Sequence, residues 1–199
     1  MLPPEMVREL SREEINTLPI RRYEGDVRLI ETPEALERAV AEWDAERLVG
    51  FDTETRPAFR PGESYPPALA QLATARAVYL LPLLRLDCSS ALRGLLGSER
   101  TIKAGVGLQD DWRALRKSFA FEEKAAVDLG AVMRRHGLKQ SGVRYLTALF
   151  LGTRIPKGAK TSNWASPRLS PQQITYAATD AWTCRELYLK FEQMKLFER

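Results

Sequence analysis

Three features of the sequence predict an α/β fold, a single domain built on a mixed central β-sheet flanked by helices. Strand-length apolar stretches come first, at Arg47–Thr53, Ala68–Thr74 and Ala77–Leu81, the last two joined by a tight turn around Ala75–Arg76 as a hairpin. The period then switches to alternating strand and helix, which adds parallel neighbours to an otherwise antiparallel set. At 199 residues the chain is long enough for one sizeable core, and two independent folds would be cramped.

The elements follow in order. Residues 1–25 are polar and punctuated by proline, with one short helical stretch around Ser11–Thr17, and are expected to form an N-terminal arm laid on the domain that spans 26–199. A first strand near Val27–Ile30 precedes a helix with Thr32 at its N-cap and Pro33 at its first position, and Leu36, Ala39, Val40 and Trp43 on one face. Between the first and second long strands, Arg56–Pro67 carries four prolines and a glycine, which forbid regular structure but suit an ordered loop. Downstream come a helix at Ser90–Leu96, a strand at Thr101–Gly105 and helices at Gln109–Phe119, Val127–His136, Ser141–Leu151 and Ser170–Met194. The last is announced by a capping box, Ser170 with Gln173 three residues on.

Composition removes several classes. The longest apolar run, Ala77–Leu84, contains Pro82 and falls far short of the ~20 residues of a membrane-spanning helix. The N-terminus has no apolar segment of signal-peptide type, so a cytoplasmic location and no membrane partner are expected. Cys88 and Cys184 lie far apart without metal-ligand spacing and are expected to be buried thiols, as are Phe51 and the Leu69–Leu72 stretch to be core. A single histidine, His136, rules out zinc sites that need two imidazoles and disfavours histidine-centred nucleophilic catalysis. Metal chemistry would therefore rest on carboxylates. The net charge of +4 permits a polyanionic partner without requiring one.

Three places carry such carboxylates. Asp52 and Glu54 are two apart on a strand, so both point to one face at its C-terminal end, a natural pair for a hard divalent cation. Taken alone the pair fits a solvated strand end better than a metal site. In KAGVGLQDDWRAL a strand ends at glycines and a helix begins, with Leu108, Trp112, Leu115 and Phe119 as its apolar stripe. Asp111 lies within that stripe and Asp110 points away, although both also suit the positive end of a helix dipole. In YAATDAWTCRELY, Ala177, Ala181, Cys184, Tyr188 and Phe191 form the buried stripe, while Tyr176 and Asp180 share the adjoining face one turn apart. A surface Tyr–Asp pair is the plainer alternative there.

Taken together and in this order, DTE, G-x-G-x-x-x-D and Y-x-x-x-D resemble the DEDD superfamily of 3′-5′ exonucleases, from about Val27 to Met194. SNWASPRLSPQQITYAATDA is similar to the tyrosine-type branch, which holds ribonuclease D and the exonuclease domain of the Werner syndrome helicase. Gln71–Thr74 (QLAT) and Ser141–Gly152 match in kind, and Thr175 stands where the other branch has a histidine. The resemblance implies a ribonuclease H-like (DnaQ-like) fold and Asp52, Glu54, Asp111, Tyr176 and Asp180 as catalytic groups. It further implies two divalent cations, Mg²⁺ or Mn²⁺, with Asp52 bridging both, Glu54 and Asp180 completing the water-activating site and Asp111 at the leaving-group site. Tyr176, with an ordinary pKa near ~10, suits orienting the water better than deprotonating it. The extra helical domain that follows the nuclease in ribonuclease D is expected to be missing, which weakens any transfer of that enzyme's RNA role.

The expected reaction is hydrolysis of single-stranded or frayed DNA or RNA from the 3′ end, releasing nucleoside 5′-monophosphates. A catalytically silent nucleic-acid-binding module and a hydrolase of small nucleotides are the alternatives. Gly152–Arg168 carries Arg154, Lys157, Lys160 and Arg168 and no acid, and is the expected phosphate-tracking segment. Trp164 within it suits a core plug better than a base-stacking platform.

Overall fold

A computed structural model describes residues 9–156, 158 and 161–197. The arm contributes a short helix, α1 (Arg12–Thr17), closed by a reciprocal capping box between Ser11 and Glu14. Six strands follow: β1 (Asp26–Leu29), β2 (Leu48–Thr55), β3 (Pro67–Ala73), β4 (Ala77–Pro82), β5 (Ile102–Gly105) and β6 (Ala126–Asp128). They form one sheet in the order β1-β4-β3-β2-β5-β6. β2, β3 and β4 pair antiparallel, while β1 runs parallel to β4, and β5 and β6 run parallel to β2. The mixed sheet is thus as expected.

The helices are α2 (Pro33–Trp43), α3 (Ser89–Gly97), α4 (Leu108–Leu115), α5 (Leu129–Arg135), α6 (Val143–Leu146) and α7 (Pro171–Gln193). Alternation along the strands divides the core into two layers. Val49, Phe51, Ala70, Leu72 and Tyr79 face α2, α3 and α4, where Phe51 meets Trp112 with ring centroids 4.9 Å apart. On the opposite face Leu69, Ala73, Val78 and Leu80 pack under Ala177, Ala178 and Ala181 of α7. All seven residues of β3 are buried, as a central strand covered on both faces requires. Cys88 and Cys184 are free and buried, and no helix of the described residues is long and apolar enough to cross a membrane.

Three expectations are corrected. The helix expected over Val127–His136 begins only at Leu129, because Ala126–Asp128 first pairs with β5 and Asp128 then caps the helix by accepting from the Ala131 N–H. A three-residue edge strand running directly into a helix N-cap leaves no two-residue period to detect. The helix expected over Ser141–Leu151 starts at Val143 and widens into a π-helical turn at Thr147–Leu151. There the Thr147 hydroxyl donates to the Val143 carbonyl at 2.6 Å. Likewise α4 stops at Leu115, short of the expected Phe119, although Phe119 still packs on its layer.

The arm is tied down along α6 and α7. Leu10 is buried and its N–H donates to the Tyr145 hydroxyl at 3.3 Å. The Tyr23 N–H donates to Thr179 Oγ1, and the Arg21 guanidinium lies 4.6 Å from the Trp182 ring centroid.

Candidate active site

The strand β2 carries its side chains alternately to the two layers, so Gly50, Asp52 and Glu54 look toward α7 while Thr53 looks toward α4. α7 lies over β2 so closely that a Cβ built on Gly50 would stand 2.0 Å from the Ala181 carbonyl oxygen. That contact, with alanines at 177, 178 and 181, brings Asp180 down onto the carboxylates of β2. One ligand oxygen each from Asp52, Glu54 and Asp180 lie within 4.8 Å of one another. Glu54 is 8% and Asp180 5% exposed, while Asp52 between them is half-buried, so two of the three carboxylates are largely withdrawn from water.

Burial of like charges has a direct electrostatic consequence. The Asp52 carboxyl is pushed well above the usual carboxylate range, first by desolvation and then by the charges of Asp111, Asp180 and Glu54. Asp111 rises to about 6, chiefly by desolvation, with the Thr53 hydrogen bond opposing. Such a set is unfavourable by itself and becomes favourable around hard cations, for which carboxylate oxygens are the preferred ligands. The donor set therefore fits divalent metal.

Asp111 reaches the site from the other layer. Gly107, with φ of 82°, turns the chain out of β5 into α4 and puts Asp111 in the first helical turn. Its carboxylate accepts from Thr53 Oγ1 at 2.5 Å, and it lies outside the group of three close carboxylates. Asp110 is exposed and paired with Arg113, as the helical-face reading required. The Tyr176 hydroxyl donates to Asp180, and its pKa is raised by burial, then by the charges of Asp180 and Glu54. Tyr176 is accordingly a fixed neutral donor. Its ring stands 6.0 Å from that of Trp164, a 2% exposed plug between the loop and α7.

Of the expected phosphate-tracking residues the structure describes Arg154 and Arg168. Arg154 is half-buried, and its guanidinium Nε donates to the Leu18 carbonyl at 2.9 Å while its backbone pairs with Ile20, so it fastens the arm. Composition alone does not reveal this tie between Arg154 and the arm. Lys157 and Lys160 lie outside the described residues, and Arg168 is exposed. Three residues escaped the sequence reading. Thr53 could have been found as the odd member of DTE facing the other layer, Gly50 as a glycine in a buried strand, and Gln71 as a polar residue in an apolar one.

Comparison with known proteins agrees with this geometry. The 3′-5′ exonuclease family model matches residues 27–195. The bifunctional 3′-5′ exonuclease/ATP-dependent helicase WRN of Mus musculus is 32% identical over 151 residues, which cover 72% of this chain and 11% of that protein. The chain thus spans about a tenth of that relative's length. Among solved structures, the Nibbler EXO domain of Aedes aegypti superposes with a TM-score of 0.78 at 23% identity, covering 90% of this chain and 94% of that one. The ribonuclease D of Trypanosoma brucei in complex with RNA U12 gives 0.76 at 18% identity, covering 84% and 62%. With its mixed sheet and ribonuclease H-like architecture, the chain belongs to the 3′-5′ exonuclease family of the DEDD superfamily.

Proposed function

We propose that the protein is a tyrosine-type 3′-5′ exonuclease that uses two Mg²⁺ or Mn²⁺ ions to release nucleoside 5′-monophosphates from single-stranded or frayed DNA or RNA. The observation that carries this is the convergence of Asp52, Glu54 and Asp180 within 4.8 Å, with the Tyr176 hydroxyl on Asp180. Asp52, Glu54 and Asp180 would hold one ion and Asp111, with Asp52, the other. Cations there supply an activated water at neutral pH and stabilise the charge developing on the leaving 3′-oxygen. The protein's own part is positional. Thr53 fixes the Asp111 carboxylate, α7 and Gly50 fix Asp180 against β2, and the neutral Tyr176 donates a hydrogen bond at the site where the nucleophile must be aligned. RNA as a substrate is supported by the likeness to the T. brucei ribonuclease D held with RNA U12.

A time course on 5′-labelled single-stranded DNA and RNA of matched sequence with Mn²⁺ tests the reading. It expects a ladder shortening from the 3′ end, lost in Asp52→Ala. Intact oligomers with pure, metal-loaded protein would refute it.

Strand binding is the second part of the proposal. The proline-rich loop leaves β2 directly after Thr55, and Phe59 on it is 80% exposed, between Arg56 and Arg60. The Arg56 guanidinium lies 4.7 Å from the Tyr65 ring centroid, which stiffens the loop base. An exposed ring between cations suits stacking on an unpaired base, worth ~1–3 kcal/mol. Phe59→Ala is therefore expected to raise KM for oligonucleotides about tenfold with kcat held, measured by initial rates over a substrate series. An unchanged KM removes Phe59 from the binding surface.

A further inference from the structure

Gln71 is a fully buried polar side chain, and neither its amide nitrogen nor its amide oxygen has a hydrogen-bond partner among the described residues. Buried amides are almost always satisfied, so an unpartnered one calls for a reason. Its surroundings narrow the reason. Along β3 its same-face neighbours are Leu69 and Ala73, its partner on β4 is Leu80, and the layer above is the alanine face of α7. Toward β2, however, it stands in register with Asp52, and residues paired across two antiparallel strands project to the same face. A methionine or leucine would fill the apolar part of this site without cost, and glutamine is there instead.

We propose that Gln71 is a positioning residue for Asp52. Its side-chain N–H donates to the Asp52 carboxylate when that carboxylate takes up cations, and so holds the ligand oxygens in one orientation. The terminal amide turns about a torsion with no sharp staggered preference, which makes the donor available to Asp52 without moving the backbone. Metal ligands held by an outer hydrogen bond lose affinity when that bond is removed, by ~10- to 100-fold. The inference rests on the proposed metal-dependent reading of the Asp52, Glu54 and Asp180 cluster.

The test is Mn²⁺ titration by calorimetry of the wild-type chain, Gln71→Met and Gln71→Leu, with thermal unfolding of each in chelator. Both variants keep the volume in an apolar setting. Their metal-free melting temperatures are expected to hold or rise, while Mn²⁺ affinity falls ~10- to 100-fold and kcat is lost at low Mn²⁺ but recovered at saturation. A role confined to packing would lower the melting temperature and leave affinity intact. Affinity within twofold of wild type in either folded variant overturns the proposal while leaving the metal site standing. If the wild type itself takes up no Mn²⁺, the metal-dependent reading fails, and this inference with it. If both variants fail to fold in chelator, Gln71 is structural and the proposal is likewise overturned.

Discussion

Asp52→Asn is expected to abolish cleavage and, in chelator, to melt at a higher temperature than the wild type at pH 7.5. The loss of activity follows from removing the carboxylate that would touch both ions. At several kcal/mol of transition-state stabilisation from the metals, kcat should fall on the order of 10³-fold or more. The gain in stability follows from the raised pKa of Asp52. A group that binds its proton more tightly folded than unfolded contributes stability at low pH and loses it as pH rises through the folded value. For Asp111 the window runs from the ordinary carboxylate value near ~3.9 up to about 6. Metal-free wild-type protein should therefore be more stable at pH 5 than at pH 8, with the asparagine variant showing a shallower pH dependence. Saturating Mn²⁺ should reverse the ranking, since a ligand at a hundredfold its Kd adds about 2.7 kcal/mol to the form that binds it. Thermal unfolding across pH 5–8, with chelator and with Mn²⁺, reads all of this. Equal melting temperatures for the two proteins in chelator would mean that the cluster carries no electrostatic strain.

What the sequence made legible, and what it did not, divides along range of interaction. α7 was visible because its signals are local: a capping box at Ser170 and Gln173, and an apolar stripe that the structure buries. β2, β3 and β4 were visible as apolar runs between turn residues. Asp52, Glu54 and Asp180 were candidates through spacing on single elements, and the fold brings them together. The facing of Asp111 also came from helical period, in agreement with the spacing of the family resemblance, yet its partner Thr53 is 58 residues away and no periodicity connects them. The parts that local signals do not show depend on partners distant in the chain. Arg154 reads as loop charge until the arm lies beside it, and β6 is a strand only because β5 offers an edge. Trp164 was correctly assigned to the core because a large aromatic next to a helix start has more apolar area to bury than a loop can supply.

Gly50→Ala should be the most damaging single-methyl change in the protein. The added Cβ would stand 2.0 Å from the Ala181 carbonyl oxygen, 2.8 Å from the Arg185 nitrogen and 3.0 Å from the Ala181 carbonyl carbon. All three are backbone atoms of α7, so no side chain can rotate aside and the helix itself must lift from β2. Forcing extra volume into a packed core costs about 1–3 kcal/mol or more, which in a domain of this size lowers the melting temperature by roughly 2–4 °C per kcal/mol. The larger effect is on the site. Asp180 and Tyr176 ride on the same helix face, so lifting α7 by about 1 Å moves both from Asp52 and Glu54, and misplacement on that scale costs ~10²-fold in rate. Mn²⁺ affinity should fall in step, because one of the three close carboxylates has left the group. Gly94→Ala is the matched control: it lies in α3 with nothing within 4 Å of the added carbon, and should raise stability by about 0.5–1 kcal/mol through lower backbone entropy. Nuclease rate, Mn²⁺ titration and thermal unfolding on the two variants decide the matter. If Gly50→Ala kept full activity, the close approach of α7 to β2 would not be what positions Asp180.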